Sequence, residues 1–381
     1  MTGAAPDVAV IGAGIIGVSV AEHLAAAGAS VRVFEAHAVA AAASGRNSGV
    51  VQHPFDPVLA KLHVGTLERY RRLADEEPKL FGLPAEPAGI LLVSRDPTKL
   101  RAMAGEYAKT HRQFRPAFLA PGEVTRLEPA VAEDVAACRL AIGYPVAPAS
   151  ATHAIAARAR ELGVRFQIGR PARLRINGGR VAGVRAGDRF EAAGAVVVAA
   201  GPWSPELIDP TGAWRPIQPL WGVVVQVDLA NPPGHVLEEV GIDVEGGVPT
   251  PHGVSGPDPE FSLVTSNGAS SLGSTFLRSE PDRDAITPRL VKHGATYIPA
   301  IAKAAVGASR SCARPLSVDG RPLIGRVPGT EGLWIAAGHG PWGVSTGPDS
   351  GRILADLLLG RLAEPPAALD PARFGAPPAS A

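Results

Sequence analysis

Short, solid runs of apolar residues separate stretches of helical periodicity at both ends of this chain and again near its middle. Residues 7–11 form the first apolar run, 14–27 read as a helix stopped by Gly28, and 30–35 form a second buried strand. Strand, helix and strand in this order predict a parallel sheet. A helix is expected over 57–76, with Leu59, Leu62, Tyr70 and Leu73 on one face and Arg69, Arg72 and Asp75 on others. The signature returns late in the chain as a strand over 333–337, a glycine-rich turn over 338–343 and a helix over 344–359 stopped by Gly360. Between these ends, strands are expected at 89–94, 164–168 and 195–200 and helices at 98–111 and 150–162. Residues 172–177, 180–186 and 189–192 read as a small antiparallel meander whose first turn is Asn177-Gly178-Gly179. Residues 220–229 alternate as a half-buried strand, 238–259 read as a Gly/Pro-rich surface excursion, and 289–305 as a helix.

Composition narrows the picture. The chain has 381 residues, enough for two or three domains of roughly 150 residues each. Lys+Arg is 37 and Asp+Glu 36, and this balance offers no electrostatic case for a nucleic-acid or anionic-membrane partner. Two cysteines, Cys138 and Cys312, exclude a disulfide framework and a four-cysteine zinc site. No apolar run is long enough to cross a bilayer. Residues 8–20 lack the basic flank of a signal peptide and are broken by three glycines, so a cytoplasmic location is expected.

Those glycines carry the first chemical signal. Gly12-Ala13-Gly14-Ile15-Ile16-Gly17 fits G-x-G-x-x-G, with a strand before it and a helix after it. Gly12 permits the tight turn, Gly14 lets a pyrophosphate approach the backbone, and Gly17 lets helix and strand pack closely. The helix N-terminus offers free N–H groups to phosphates. Glu35 ends the second strand and is placed to accept the hydroxyls of an adenosine ribose, which disfavours NADP. The motif by itself does not separate NAD from FAD.

Four stretches in this order resemble the FAD-dependent D-amino acid oxidase superfamily, and within it the glycine oxidase, sarcosine oxidase and bacterial D-amino acid dehydrogenase group. They are the fingerprint with Glu35; Ser44-Gly45-Arg46-Asn47-Ser48-Gly49-Val50; the run through Ala200, Gly201 and Trp203; and residues 314–325 followed by Gly338-His339-Gly340-Pro341-Trp342-Gly343. The resemblance implies an α/β (α+β) fold with a Rossmann-like FAD-binding domain interleaved with a smaller antiparallel-sheet substrate domain. The first is expected over 1–85, 146–215 and 308–370, the second over 86–145 and 216–307, with a poorly ordered tail at 371–381. It also implies FAD as cofactor. The Ser44–Val50 loop would lie beside the flavin, the Ala172 main chain at the adenine, and the helix N-terminus at Val344 and Ser345 at the pyrimidine end. A helix dipole there stabilises the anionic reduced flavin.

On the substrate side, Arg314 is the expected carboxylate clamp, because guanidinium is planar and bidentate. Arg46 would meet the pyrophosphate or an acidic substrate, or form a surface salt bridge. Departures from the family pattern are a missing second Arg along Leu220-Trp221-Gly222-Val223-Val224 and a missing Tyr over 246–253, where His252 is the one ionisable residue. Cys312 has a spacing similar to that at which sarcosine oxidases attach FAD covalently, but a buried small hydrophobe is the favoured reading. The resulting expectation is an enzyme that oxidises the C–N bond of an amino acid or secondary amine by hydride transfer to flavin N5, giving an imine. Oxygen or an electron carrier would take the electrons. One alternative is a 2-hydroxy acid oxidase or dehydrogenase, for which His339 or His53 would be the base. The other is a non-catalytic flavin-binding protein.

Overall fold

A computed structural model describes residues 7–240 and 258–378. Its first sheet has six strands in the order Leu323–Arg326, Leu333–Ala337, Ala195–Val198, Val8–Ile11, Val31–Glu35, Arg165–Ile168. All neighbours run parallel except Leu323–Arg326 with Leu333–Ala337. Val8–Ile11 and Leu333–Ala337 are buried throughout, as apolar runs between two layers must be. The helix Ile15–Ala26 packs against Ser150–Glu161 and Gly343–Leu358, covering one face of the sheet. The other face is covered by the expected three-stranded meander of Ala172–Asn177, Arg180–Ala186 and Arg189–Ala192.

The helix Pro57–Glu76 forms as the periodicity predicts, capped by Asp56, whose carboxylate accepts from Val58 N and Leu59 N. Arg69 departs from the pattern. It is buried between helices, paired to Glu22 and, at 2.9 Å, to Glu76, so helical spacing alone misassigned it to an outer face.

The second sheet has eight strands in the order Ala305–Ser317, Ile217–Asp228, Ala269–Gly273, Ser262–Ser266, Val236–Glu239, Ile90–Ser94, Ala136–Leu140, Ala117–Leu119. It is antiparallel apart from the pair Val236–Glu239 and Ile90–Ser94. Several expectations change here. The helix expected over 289–305 spans Arg283–Tyr297 and is followed by a turn at Pro299–Lys303. Pro299 disfavours the helical region for Ile298, so the helix ends there. Ala305–Ser317 is then a long strand paired with Ile217–Asp228 from Ser317 to Ala305, so a boundary at 308 cuts through it. Residues 236–239, partly assigned to a surface excursion, form an interior strand. His252 and the 246–253 span lie outside the described residues. The end of the chain is also docked. Leu369 is 1% exposed, Arg373 pairs with Asp319 at 2.8 Å, and Trp214 Nε1 donates to the Gly375 carbonyl.

Candidate functional site

A cleft of about 1340 Å³ lies between the two sheets. The carboxyl ends of four parallel strands contribute Gly12, Glu35, Ala200 and Gly340 from one side, and Trp221, Glu238, Ser274 and Arg314 line the other.

The glycine turn has the geometry its sequence requires. Gly12 sits at φ +109°, and a Cβ there would stand 2.4 Å from the Ala199 carbonyl oxygen. A Cβ on Gly17 would stand 2.0 Å from the Gly12 carbonyl, so Gly17 serves helix packing and does not line the cleft. Gly14, Ile15 and Ile16 line it. Glu35 is fixed by Ala13 N–H (2.9 Å) and His37 N–H (2.8 Å).

The loop Ser44–Val50 folds over the helix N-terminus. Ser44 Oγ accepts from Ile15 N at 2.9 Å. Asn47 lines the cleft but spends its side chain on the loop, donating to Ala43 and Ser44 carbonyls and accepting from Gly49 N. Gly45 packs on Ala40 behind the lining, which includes Ser48, Gly49 and Val50. Arg46 donates to the Ser311 carbonyl at 3.2 Å, and Arg310 donates back to the Asn47 carbonyl at 3.0 Å. These crossed braces tie the loop to the strand Ala305–Ser317.

On that strand Arg310, Cys312 and Arg314 alternate onto one face. Arg314 Nη1 donates to the Thr275 carbonyl (2.9 Å) and Nη2 to Ser274 Oγ (2.7 Å), with the guanidinium 4.5 Å from the Phe276 ring centroid. Gly222 supplies the floor. A Cβ there would lie 2.4–2.5 Å from three guanidinium atoms. Among the described residues no carboxylate pairs with Arg314 or Arg46, so the surface salt bridge allowed for Arg46 does not form there. The Cys312 thiol is pushed up by burial, against the pull of Arg314, Arg46 and Arg310.

His339 does not reach for a substrate. It is fully buried, its Nε2 is 3.0 Å from Ser350 Oγ, and burial lowers its pKa to about 3. Ser350 Oγ donates to the Thr346 carbonyl, so it accepts from His339, which anchors the turn to the helix Gly343–Leu358. His53 lies among Phe55, His63 and Phe114, away from the cleft, with its pKa lowered to about 4 by burial and His111. Neither is placed as a base. Gly338 packs behind the turn on Ser317 and Leu323, while Pro341, Trp342, Gly343, Val344 and Ser345 line the cleft. Ala172 and Trp203 line it too, Trp203 at 48% exposure.

Sequence reasoning missed Gln52, Glu238, Ser274 and Phe276. Gln52 Nε2 donates to Glu238 Oε2 at 3.2 Å and its N–H to Ser345 Oγ at 2.9 Å, joining both walls of the cleft. Val236-Leu237-Glu238-Glu239 is short and half polar, a weak strand signal.

A cleft with a glycine turn, a fixed ribose-side acid and two helix N-termini on the parallel-sheet side fits a dinucleotide cofactor. Trp342, whose buried indole N–H has no partner among the described residues, adds a donor.

The comparisons agree. A D-amino acid dehydrogenase from Cereibacter sphaeroides is 32% identical over 56% of this chain and 46% of its own length. A glycine oxidase from Pseudomonas putida is 31% identical over 51% of this chain and 49% of its own. The chain thus matches about half the length of these curated relatives. The crystal structure of glycine oxidase from Bacillus cereus shares the fold, with a TM-score of 0.79 at 24% identity over 94% of this chain and 96% of that one. No described helix is long and apolar enough to cross a membrane. The family pattern described as FAD dependent oxidoreductase matches residues 7–357. The cofactor of this scaffold is FAD, and the chain belongs to the FAD-dependent oxidoreductase family.

Proposed function

We propose that this protein oxidises the C–N bond of an amino acid or secondary amine bearing a carboxylate. The observation that carries the reading is Arg314, a cleft-lining guanidinium held flat over Gly222 by Thr275, Ser274 and Phe276 with no carboxylate of its own among the described residues. Such a group clamps a substrate carboxylate and orients the rest of the molecule. The relatives named D-amino acid dehydrogenase and glycine oxidase act on substrates of this kind.

Bound FAD supplies the hydride acceptor. Gly12 and Gly14 would hold its phosphates, with Ile15 beside them at the helix N-terminus, and Glu35 would hold its ribose. The helix N-terminus at Val344 and Ser345 favours negative charge at the flavin end of the cleft. Arg314 positions the substrate, and Trp221 and Phe276 exclude water beside it. Residue Ala172 serves the adenine through its main chain. His339 is a positioning residue for the turn Gly340–Trp342 and donates no proton to substrate.

A 2-hydroxy acid substrate needs a base for its hydroxyl proton. His339 is held by Ser350 and His53 lies away from the cleft, which favours the amine. Anaerobic mixing with D- and L-amino acids, N-methyl amino acids and 2-hydroxy acids, followed at the flavin absorbance, decides. Bleaching by an amino acid is expected. Bleaching by hydroxy acids alone rejects the reading, and a flavin that no member bleaches points to a non-catalytic flavoprotein.

A further inference from the structure

The meander has two unlike faces. Ala172, Val181, Val184 and Ala186 are buried and join the core around Phe34. On the outer face Arg173 stands directly opposite Arg185, and Arg185 directly opposite Phe190. Cross-strand partners point the same way, so these three side chains form one row. Arg175, two residues from Arg173, shares the face. All three arginines are exposed, and Phe190 is 49% exposed.

Like charges directly opposite each other are unfavourable in a sheet. Among the described residues no carboxylate relieves them. Glu191 is engaged by Arg32 and Glu331 by Arg180, and among the described residues Arg173, Arg175 and Arg185 form no ion pair. Residues 165–189 carry seven arginines and one aspartate. The near-neutral total of the chain therefore conceals a local cationic face with an aromatic ring at its edge.

We propose that this face docks on an anionic phospholipid surface, the Arg175 and Arg185 guanidiniums on lipid phosphates and Phe190 in the headgroup layer. Its size argues for a membrane over a protein partner. Three strands span only about 14 Å, whereas a stable protein interface buries about 800 Å² on each side. Adsorption to a charged bilayer has no such threshold, since each basic residue adds about fivefold to binding.

The test is sedimentation of the FAD-loaded protein with vesicles of phosphatidylcholine, alone or mixed with phosphatidylglycerol. Binding only to the mixed vesicles, weakened by added salt, is expected. Arg173 lines the cleft, so it is left alone. The double variant Arg175→Gln/Arg185→Gln should lose about 25-fold in partitioning, Arg175→Lys/Arg185→Lys should keep most of it, and Phe190→Ala should weaken it without changing flavin content. Failure of the unaltered protein to bind mixed vesicles overturns the proposal, whatever becomes of the variants. So does equal binding to both vesicle types, undiminished binding by the Gln variant, or retention by an immobilised acidic protein but not by lipid. None of these outcomes bears on the amine-oxidising reading.

Discussion

Arg314 and Gly222 are a single device. Without a Cβ beneath it, the guanidinium lies across the strand and meets Ser274 and Thr275. Arg314→Met should raise KM for a carboxylate-bearing substrate about a hundredfold, as loss of a charge-assisted clamp costs about 3 kcal/mol, with FAD content unchanged. Gly222→Ala should displace the guanidinium and raise KM about tenfold while kcat falls less. Unchanged KM in both variants would reject the clamp. At Cys312, burial raises the thiol pKa, which keeps the nucleophilic thiolate scarce. Acid precipitation should therefore leave a colourless pellet and a yellow supernatant. A yellow pellet that bleaches to colourless in Cys312→Ser would show a covalent flavin instead.

At the scale of elements, one brace holds the helix Arg283–Tyr297 to the strand Val236–Glu239. Glu239 accepts from His293 Nε2 (2.7 Å), Phe261 N (3.0 Å) and Tyr297 Oη (2.8 Å). The hydrogen bond to Glu239 raises the His293 pKa above 6.5. Burial opposes the Glu239 charge, but the bonds from His293, Phe261 and Tyr297 prevail and hold its pKa below 4.5. The histidine's contribution is complete below 6.5 and is lost as pH rises through its raised pKa. The glutamate's is complete above 4.5 and is lost as pH falls through its lowered pKa. The brace is thus strongest between these values. His293→Gln should lower Tm more at pH about 5.5 than at pH about 8.5. An equal loss at both would remove the ion pair from the account.

For the whole molecule, the same linkage runs the other way at buried histidines. Burial lowers His23, His53 and His63 to about 4 and His339 to about 3. Their unfolded counterparts titrate near 6.5, so the unfolded chain takes up protons first as the solution is acidified. Full stability holds above that value and falls below it, by up to about 1.4 kcal/mol per pH unit for each histidine. The urea midpoint should drop steeply between pH about 6.5 and about 4. His63→Asn should flatten the profile; a midpoint independent of pH over this range would contradict the buried placement.

The turn from Gly12 to Gly17, the helix behind it and Glu35 were legible because their partners lie within thirty-odd residues and their geometry is local. The meander was legible for the same reason, through Asn177-Gly178-Gly179. An equally local signal at Asn267-Gly268, with both residues at positive φ between Ser262–Ser266 and Ala269–Gly273, went unread because serines dilute the apolar alternation of its strands. Other features had no local trace. Helical spacing cannot reveal that Arg69 meets Glu22, 47 residues away, nor that Arg46 and Arg310 brace each other's backbones. Residue order determined the nucleotide turn and its acid, since short-range sterics and a helix end suffice for them. Only the pairing of distant strands decided that Gly222 lies beneath Arg314 and that Glu238 stands opposite Leu92. Those relations depend on register across a sheet, and register is settled by the burial of the whole core.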